Sequence, residues 1–336
     1  MHMADALISP AVGGAMWAAS AGLLGYCGRK VRLALDDRLV PMMGVLGAFI
    51  FAAQMINFSI PATGSSGHLG GGLILAILLG PEAAFLVIAS VLTVQALFFA
   101  DGGLLALGCN IWNLGFYPAF IAYPFIYRPL AGGGSNRKRA WIAAMVAAVV
   151  GLQLGAASVV LETTWSGISA LPFATFLLLM QPIHLAIGVV EGLATTAVIA
   201  FVARARPEAL EMSGGALAKS VSPRPVLTGL LLVTVLVGGV LSWFASTQPD
   251  GLEWSIAKVT GQGEVEAGAG LHEELAKIQE KTAFLPDYGF KTAAPEKATD
   301  STGRVGRTVA GLVGGLLVLA LAGLVGYGLS KRRRAV

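Results

Sequence analysis

Apolar runs of about twenty residues recur along the chain, separated by short polar breaks. They fall at about 12–28, 39–58, 68–80, 81–100, 105–127, 141–162, 180–203, 226–247 and 308–329. A helix needs roughly 20 apolar residues to cross the hydrocarbon of a bilayer, so the pattern predicts membrane-spanning helices. The third run is short and glycine-rich, and Pro81 separates it from the fourth. The expected fold is all-α: a polytopic membrane bundle of about seven segments, one of them short, followed by a two-helix transmembrane hairpin around an external loop.

The breaks carry the orientation. The Lys and Arg residues of the first 206 positions are Arg29, Lys30, Arg32, Arg38, Arg128, Arg137, Lys138, Arg139, Arg204 and Arg206. If the N-terminus lies outside, all of them fall in cytoplasmic loops, as the positive-inside rule requires. The parity holds only when the short third segment counts as a crossing. It then places the C-terminal Lys331-Arg332-Arg333-Arg334 in the cytoplasm. No Lys or Arg precedes the first apolar run, so the start does not read as a signal peptide. The expected location is the inner (cytoplasmic) cell membrane, multi-pass, in contact with the lipid bilayer.

Three regions follow: a compact membrane domain at 1–206, a cytoplasmic linker at 207–224 and an accessory domain at 225–336. The accessory domain consists of two crossings flanking an external segment, 248–305, with a helical stretch near 264–283. Composition agrees. The chain has 336 residues, 55% hydrophobic and 12% charged, about half the charge of a soluble domain. Its net charge of +4 sits in short clusters between apolar runs and is no nucleic-acid footprint. Cys27 and Cys109 form no CxxC pair and read as packing residues.

Chemistry begins at the second residue. In Met1-His2, the α-amine of Met1, the main-chain nitrogen of His2 and its ring can face one ion in two fused chelate rings. Such a planar nitrogen set suits Ni²⁺ or Cu²⁺, and Co²⁺, better than tetrahedral Zn²⁺. It needs a retained, deformylated Met1, which the bulky second residue favours. The bland alternative is a frayed terminus. A partner stands in the loop Ser59-Ile-Pro-Ala-Thr-Gly-Ser-Ser-Gly-His68-Leu-Gly-Gly-Gly72, which the topology puts on the same outer side. Non-helical backbone at membrane depth is tolerated where it lines a cavity or is buried in protein.

The opening MHMADALISPAVGG, the loop INFSIPATGSSGHLGGG, the run LLGPEAAFLVIASVLTVQALFFADGGLLALGCN and the segment QPIHLAIGVVEG together resemble the substrate-capture component of cobalt and nickel energy-coupling-factor transporters (CbiM/NikM type). The resemblance covers residues 1–206. Pro249-Asp-Gly-Leu-Glu253 and Leu285-Pro-Asp-Tyr-Gly289 resemble the small accessory component of the same systems (CbiN/NikN type), here fused behind the first. The resemblance implies a square-planar site made by the Met1 amine, the His2 main-chain nitrogen, and the His2 and His68 rings. It also implies a membrane coupling (T-type) subunit and cytoplasmic ATPase subunits as partners. The chain itself has no Walker A motif, and no cofactor is expected beyond the transported Co²⁺ or Ni²⁺.

Other polar residues offer rival readings. His184 and Glu191, seven apart on one helix face, read as a relay, a structural hydrogen-bonded pair, or the acid and base of an intramembrane enzyme. A secondary transporter is a further alternative, though no internal pseudo-symmetry is visible. Gln95, Asp101, Asn110 and Asn113 are expected to hold loops by hydrogen bonds. His272, among charged neighbours, reads as part of a solvated helix face. Trp17, Trp112, Trp141, Trp165 and Trp243 read as interfacial anchors. The reading is of a transporter subunit, not an enzyme.

Overall fold

A computed structural model describes residues 2–34, 39–132, 136–205, 224–262, 265, 268–291 and 300–334. Met1 and linker positions 207–223 therefore lie outside the described residues. The chain forms α1 (Pro10–Ala34), α2 (Leu39–Gln54), the hairpin β1 (Phe58–Ile60) and β2 (Ser65–Gly67), α3 (Gly72–Leu79) and α4 (Pro81–Phe99). Then come α5 (Leu107–Ile111), a π-helical stretch Trp112–Tyr127, α6 (Arg128–Ala131), α7 (Arg137–Ser166) and α8 (Phe173–Ala205). The C-terminal part contains α9 (Arg224–Gly239), α10 (Gly251–Thr260), α11 (Leu271–Thr282) and α12 (Asp300–Arg334).

Helix lies over all nine apolar runs, and the protein is an all-α membrane bundle. Among the described residues, four helices are long and apolar enough to cross a membrane: Pro81–Phe99, Arg137–Ser166, Phe173–Ala205 and Thr302–Lys331. α2 and α9 are apolar but shorter. The outer surface is unlike that of a soluble protein: Leu178, Leu193, Phe125, Leu232, Leu316 and Leu324 are all exposed. In water such a surface would associate; in lipid it is the solvated face. α12 packs onto α2 because Gly44 and Gly47 present no side chain there. A Cβ on Gly44 would stand 2.9 Å from the Leu319 carbonyl oxygen. Close backbone approach over small residues is how helices associate in lipid.

The third apolar run departs from a plain span. α3 has only 8 residues, about 12 Å against a hydrocarbon core of about 30 Å. The chain ahead of it, 68–71, is non-helical and glycine-rich. Its backbone donors are satisfied without a helix: Gly70 N–H and Gly71 N–H donate to the two Glu191 carboxylate oxygens at 2.8 and 2.9 Å. Gln54 Nε2 donates to the Gly70 carbonyl at 2.8 Å, and Gln95 Nε2 donates to Gln54 Oε1 at 2.9 Å. Gly71 adopts φ +78° at the N-cap of α3, a left-handed conformation that costs glycine little. This loop is thus held deep in the bundle, against the middle of α8.

Candidate metal site

The site is built by threading the N-terminal segment into the bundle. Met3 is fully buried. Its N–H donates to Asn110 Oδ1 at 2.8 Å, and its carbonyl accepts from Asn110 Nδ2 at 3.2 Å and from Gly103 N–H at 2.9 Å. Two residues on, Asp5 Oδ1 accepts from Ala106 N–H at 2.9 Å. From the other side, His272 on α11 donates through Nε2 to the Ile8 carbonyl at 2.8 Å. His272 is buried, which corrects the expected solvated face: its charged neighbours point outward while the ring ties α11 to the N-terminal segment.

So anchored, His2 meets His68. The two rings stack, with centroids 4.8 Å apart and planes 16° from parallel. Only 7% of the His2 side chain is exposed, and His68 is buried. Burial pushes the His2 ring pKa down to about 3, so the imidazole is neutral and able to bind a metal. His2 Nδ1 lies 3.2 Å from Asp101 Oδ1, and Asp101 accepts a hydrogen bond from Tyr288 of the accessory part. Burial holds the Asp101 carboxyl above its usual range. His68 Nδ1 lies 3.0 Å from the Leu69 carbonyl; since a carbonyl only accepts, Nδ1 carries the proton and Nε2 the lone pair.

The structure thus brings His2 and His68 together. In nearly parallel rings, however, the in-plane lone pairs do not converge, so joint ligation would require a ring to turn. Among the described residues, no three His, Cys, Asp or Glu side chains are grouped to hold a metal.

Of the loop-holding set, Gln95, Asn110 and Asn113 do form hydrogen bonds, the last to Glu162 Oε2 at 2.7 Å, while Asp101 touches His2 itself. His184 and Glu191 do not pair. His184 Nδ1 lies 2.8 Å from the Met180 carbonyl, and Glu191 is occupied by the two glycine amides. Of the alternatives the sequence left open, the mutual hydrogen-bonded pair is not formed, and the two groups are not placed as a joint acid and base.

The accessory part covers this site. Ser66 N–H donates to the Pro249 carbonyl at 2.8 Å, and Ser66 Oγ donates to the Gln248 carbonyl at 2.8 Å. The Pro-Asp-Gly-Leu-Glu segment is a helix start. Asp250 Oδ1 accepts from Leu252 N–H at 2.8 Å and Glu253 N–H at 2.9 Å, and Glu253 Oε2 accepts from Asp250 N–H at 3.0 Å. This reciprocal capping box opens α10. Gly251 is fixed by packing, because a Cβ there would stand 2.5 Å from Ile183 Cγ2 and 3.3 Å from His184 Cε1.

Sequence reasoning missed four members of this arrangement. Asp250 and Glu253 carried the signal of an N-cap and N3 acid three apart. Glu162 carried that of a lone acid in an apolar run. Tyr288 stood in the Leu285–Gly289 motif, which does not say what its hydroxyl faces.

Residues 2–209 match the family of cobalt uptake substrate-specific transmembrane regions (CbiM), and residues 224–331 match the PDGLE domain. The chain is 29% identical to the fused nickel transport protein NikMN of Rhodobacter capsulatus, over 100% of this chain and 99% of that one. It is 30% identical to the cobalt transport protein CbiM of Sorangium cellulosum, over 51% of this chain and 76% of that one. A solved structure, the crystal structure of a truncated transition metal transporter, superposes with a TM-score of 0.55 at 30% identity. That match covers 61% of this chain and 99% of the other.

Proposed function

Because this chain belongs to the cobalt uptake substrate-specific transmembrane family and carries a PDGLE domain behind that region, we propose that it is the substrate-binding membrane component of an ATP-driven energy-coupling-factor importer for Co²⁺ or Ni²⁺. The ion arrives from outside, where the N-terminus lies, and is captured by the Met1 amine, the His2 main-chain nitrogen and the rings of His2 and His68. A membrane coupling subunit and cytoplasmic ATPase subunits supply the work, since the chain contains no Walker A motif.

The observation that carries this reading is the buried His2–His68 pair on an N-terminal segment anchored at Met3, Asp5 and Ile8. Neutral imidazoles, with the Asp101 carboxylate beside them, suit a divalent cation. The fused chelate rings use His2 Nδ1, so capture exchanges the contact of Nδ1 with Asp101 for the metal and turns the ring out of its stack on His68. Asp101 then remains beside the ion as a compensating charge. Amide ligation releases a proton, so affinity falls in acid. A planar nitrogen field favours Ni²⁺, and the same ligands accept Co²⁺.

The test is a Ni²⁺ and Co²⁺ titration of the purified chain, with its own N-terminus and with one residue added before Met1. The extension is expected to abolish tight binding, and the tighter metal identifies the cargo. Equal binding by both forms would rule out the terminal chelate.

A further inference from the structure

Next to the His2–His68 pair is a small cavity lined by His68, His184, Asp250, Gly67, Gly70 and Gly251, among others. With a volume of about 10 Å³, it has room for a single water-sized body. We propose that His184 Nε2, on α8, is a metal-ligating position in this cavity, a second station that takes the same divalent ion from the terminal site. The proposal rests on the capture function above and adds a site to it.

The ring of His184 is fully buried. Its Nδ1 is 2.8 Å from the Met180 carbonyl, an acceptor only, so Nδ1 holds the proton and Nε2 presents a lone pair. That Nε2 is buried with no hydrogen-bond partner. A buried polar atom without a partner is uncommon and asks for an explanation, and a neutral imidazole nitrogen is a ligand for late first-row cations. His184 shares the cavity with a second imidazole, His68, and with a carboxylate, Asp250, which supplies negative charge from the accessory part. Gly251 leaves this space open: a Cβ there would stand 3.3 Å from Cε1 of His184, the carbon bonded to Nε2.

A second cavity, lined by Glu191, Leu73 and Gly151 among others, shares Gly70, Leu114 and Leu152 with the first. The His184 position therefore lies between the terminal site and the bundle interior. Moving the ion from His2 to His184 breaks and forms metal–nitrogen bonds. The His2 amide takes back from solvent the proton it released on capture, His184 keeps its Nδ1 proton throughout, and the step needs no redox partner.

The experiment uses the full chain carrying His2→Ala, which removes the terminal chelate, with Co²⁺ alone as the probe. Saturable binding of one equivalent is expected, with visible bands of mixed nitrogen and oxygen ligation, and adding His184→Ala should weaken it at least tenfold. In the His2→Ala chain, bound Co²⁺ should also shift the ring-proton resonances of His184, a readout that needs no change at that residue and survives any misfolding of the double variant. If the His2→Ala chain binds no Co²⁺, the second site does not exist. If it binds Co²⁺ without moving the His184 resonances, Nε2 serves only a buried water. Failure of the terminal chelate would appear separately, in the comparison of authentic and extended N-termini, which leaves His184 untouched.

Discussion

At the scale of single residues, the site depends on how His2 is held. Asp101 lies 3.2 Å from His2 Nδ1; it orients the metal-free ring, and in the proposed capture it stands beside the ion as a compensating charge. Asp101→Asn keeps the shape and removes the charge. Its expected effect is a loss of about 10–100-fold in Ni²⁺ or Co²⁺ affinity, read by titration, and unchanged affinity would show Asp101 to be a loop residue only. The pH dependence follows from burial. With its pKa pushed down to about 3 from an unfolded value of about 6.5, the His2 ring binds fewer protons folded than unfolded across that window. Metal-free stability should therefore fall as pH drops from about 6.5 towards 3, by up to about 1.4 kcal/mol per pH unit from this group. Thermal unfolding of the chain and of His2→Asn against pH would separate that contribution. Ring protonation does not compete with metal until near pH 3. Any loss of affinity between about pH 8 and pH 6 then belongs to the terminal amine and amide. His2 and His68 were legible because two histidines on one predicted side form a small set. Asp101 was legible only as a polar loop-end, since nothing local says which side chain it faces.

At the scale of elements, the lesson is in what holds irregular backbone inside a bundle. The 68–71 stretch replaces helix with two hydrogen bonds to Glu191, which explains an intramembrane acid without catalysis. Glu191→Gln swaps one acceptor oxygen for a donor amide and leaves a Gly70 or Gly71 N–H unpaired. A destabilisation of about 1–3 kcal/mol is expected, along with weaker metal binding through a displaced His68; normal unfolding temperature and affinity together would refute this role. The start of α10 is equally specific. Gly251→Ala drives a Cβ into Ile183 Cγ2, and overpacking of this kind costs about 1–3 kcal/mol. It should appear as lost hydrogen-exchange protection across Gly251–Thr260. Hydropathy foresaw the positions of the helices because lipid demands apolar length. It did not foresee the π-helical stretch Trp112–Tyr127, although Pro118 and Pro124 lie inside it, because proline signals a missing donor and not the i→i+5 pattern that absorbs it. The capping box Asp250–Glu253 was present in the sequence, and its spacing was enough to place a helix start there. His272 was misread because charged neighbours report which face is wet and say nothing of the residue turned inward.

At the scale of the whole molecule, the two parts meet over the site. α11 is fastened to the first part by His272 at Ile8 and by Gln279 Nε2, which donates to the Ala96 and Gly102 carbonyls at 2.9 and 2.7 Å. Leu285 N–H donates to the Phe98 carbonyl at 3.3 Å, and Tyr288 reaches Asp101. Hydropathy made two apolar helices around a polar segment legible. It could not show where that segment docks, because most of these contacts are to backbone carbonyls that any sequence offers. The consequence is kinetic. His2 and His68 are both covered in this arrangement, so an ion captured there is expected to enter only after the segment around α10 and α11 swings away. A gated site binds in two steps, and the observed rate should level off at high metal concentration at the opening rate. Stopped-flow mixing of the chain with increasing Co²⁺, followed by visible absorbance, should give such a plateau. Gln279→Leu removes two hydrogen bonds that exist only in the closed form, each worth about 0.5–1.5 kcal/mol, and touches no proposed ligand. It should raise the plateau several-fold while leaving the ligand set intact. A rate that climbs linearly with Co²⁺ and ignores Gln279→Leu would mean that the ion enters by another route, and that the accessory part covers the site without controlling access to it.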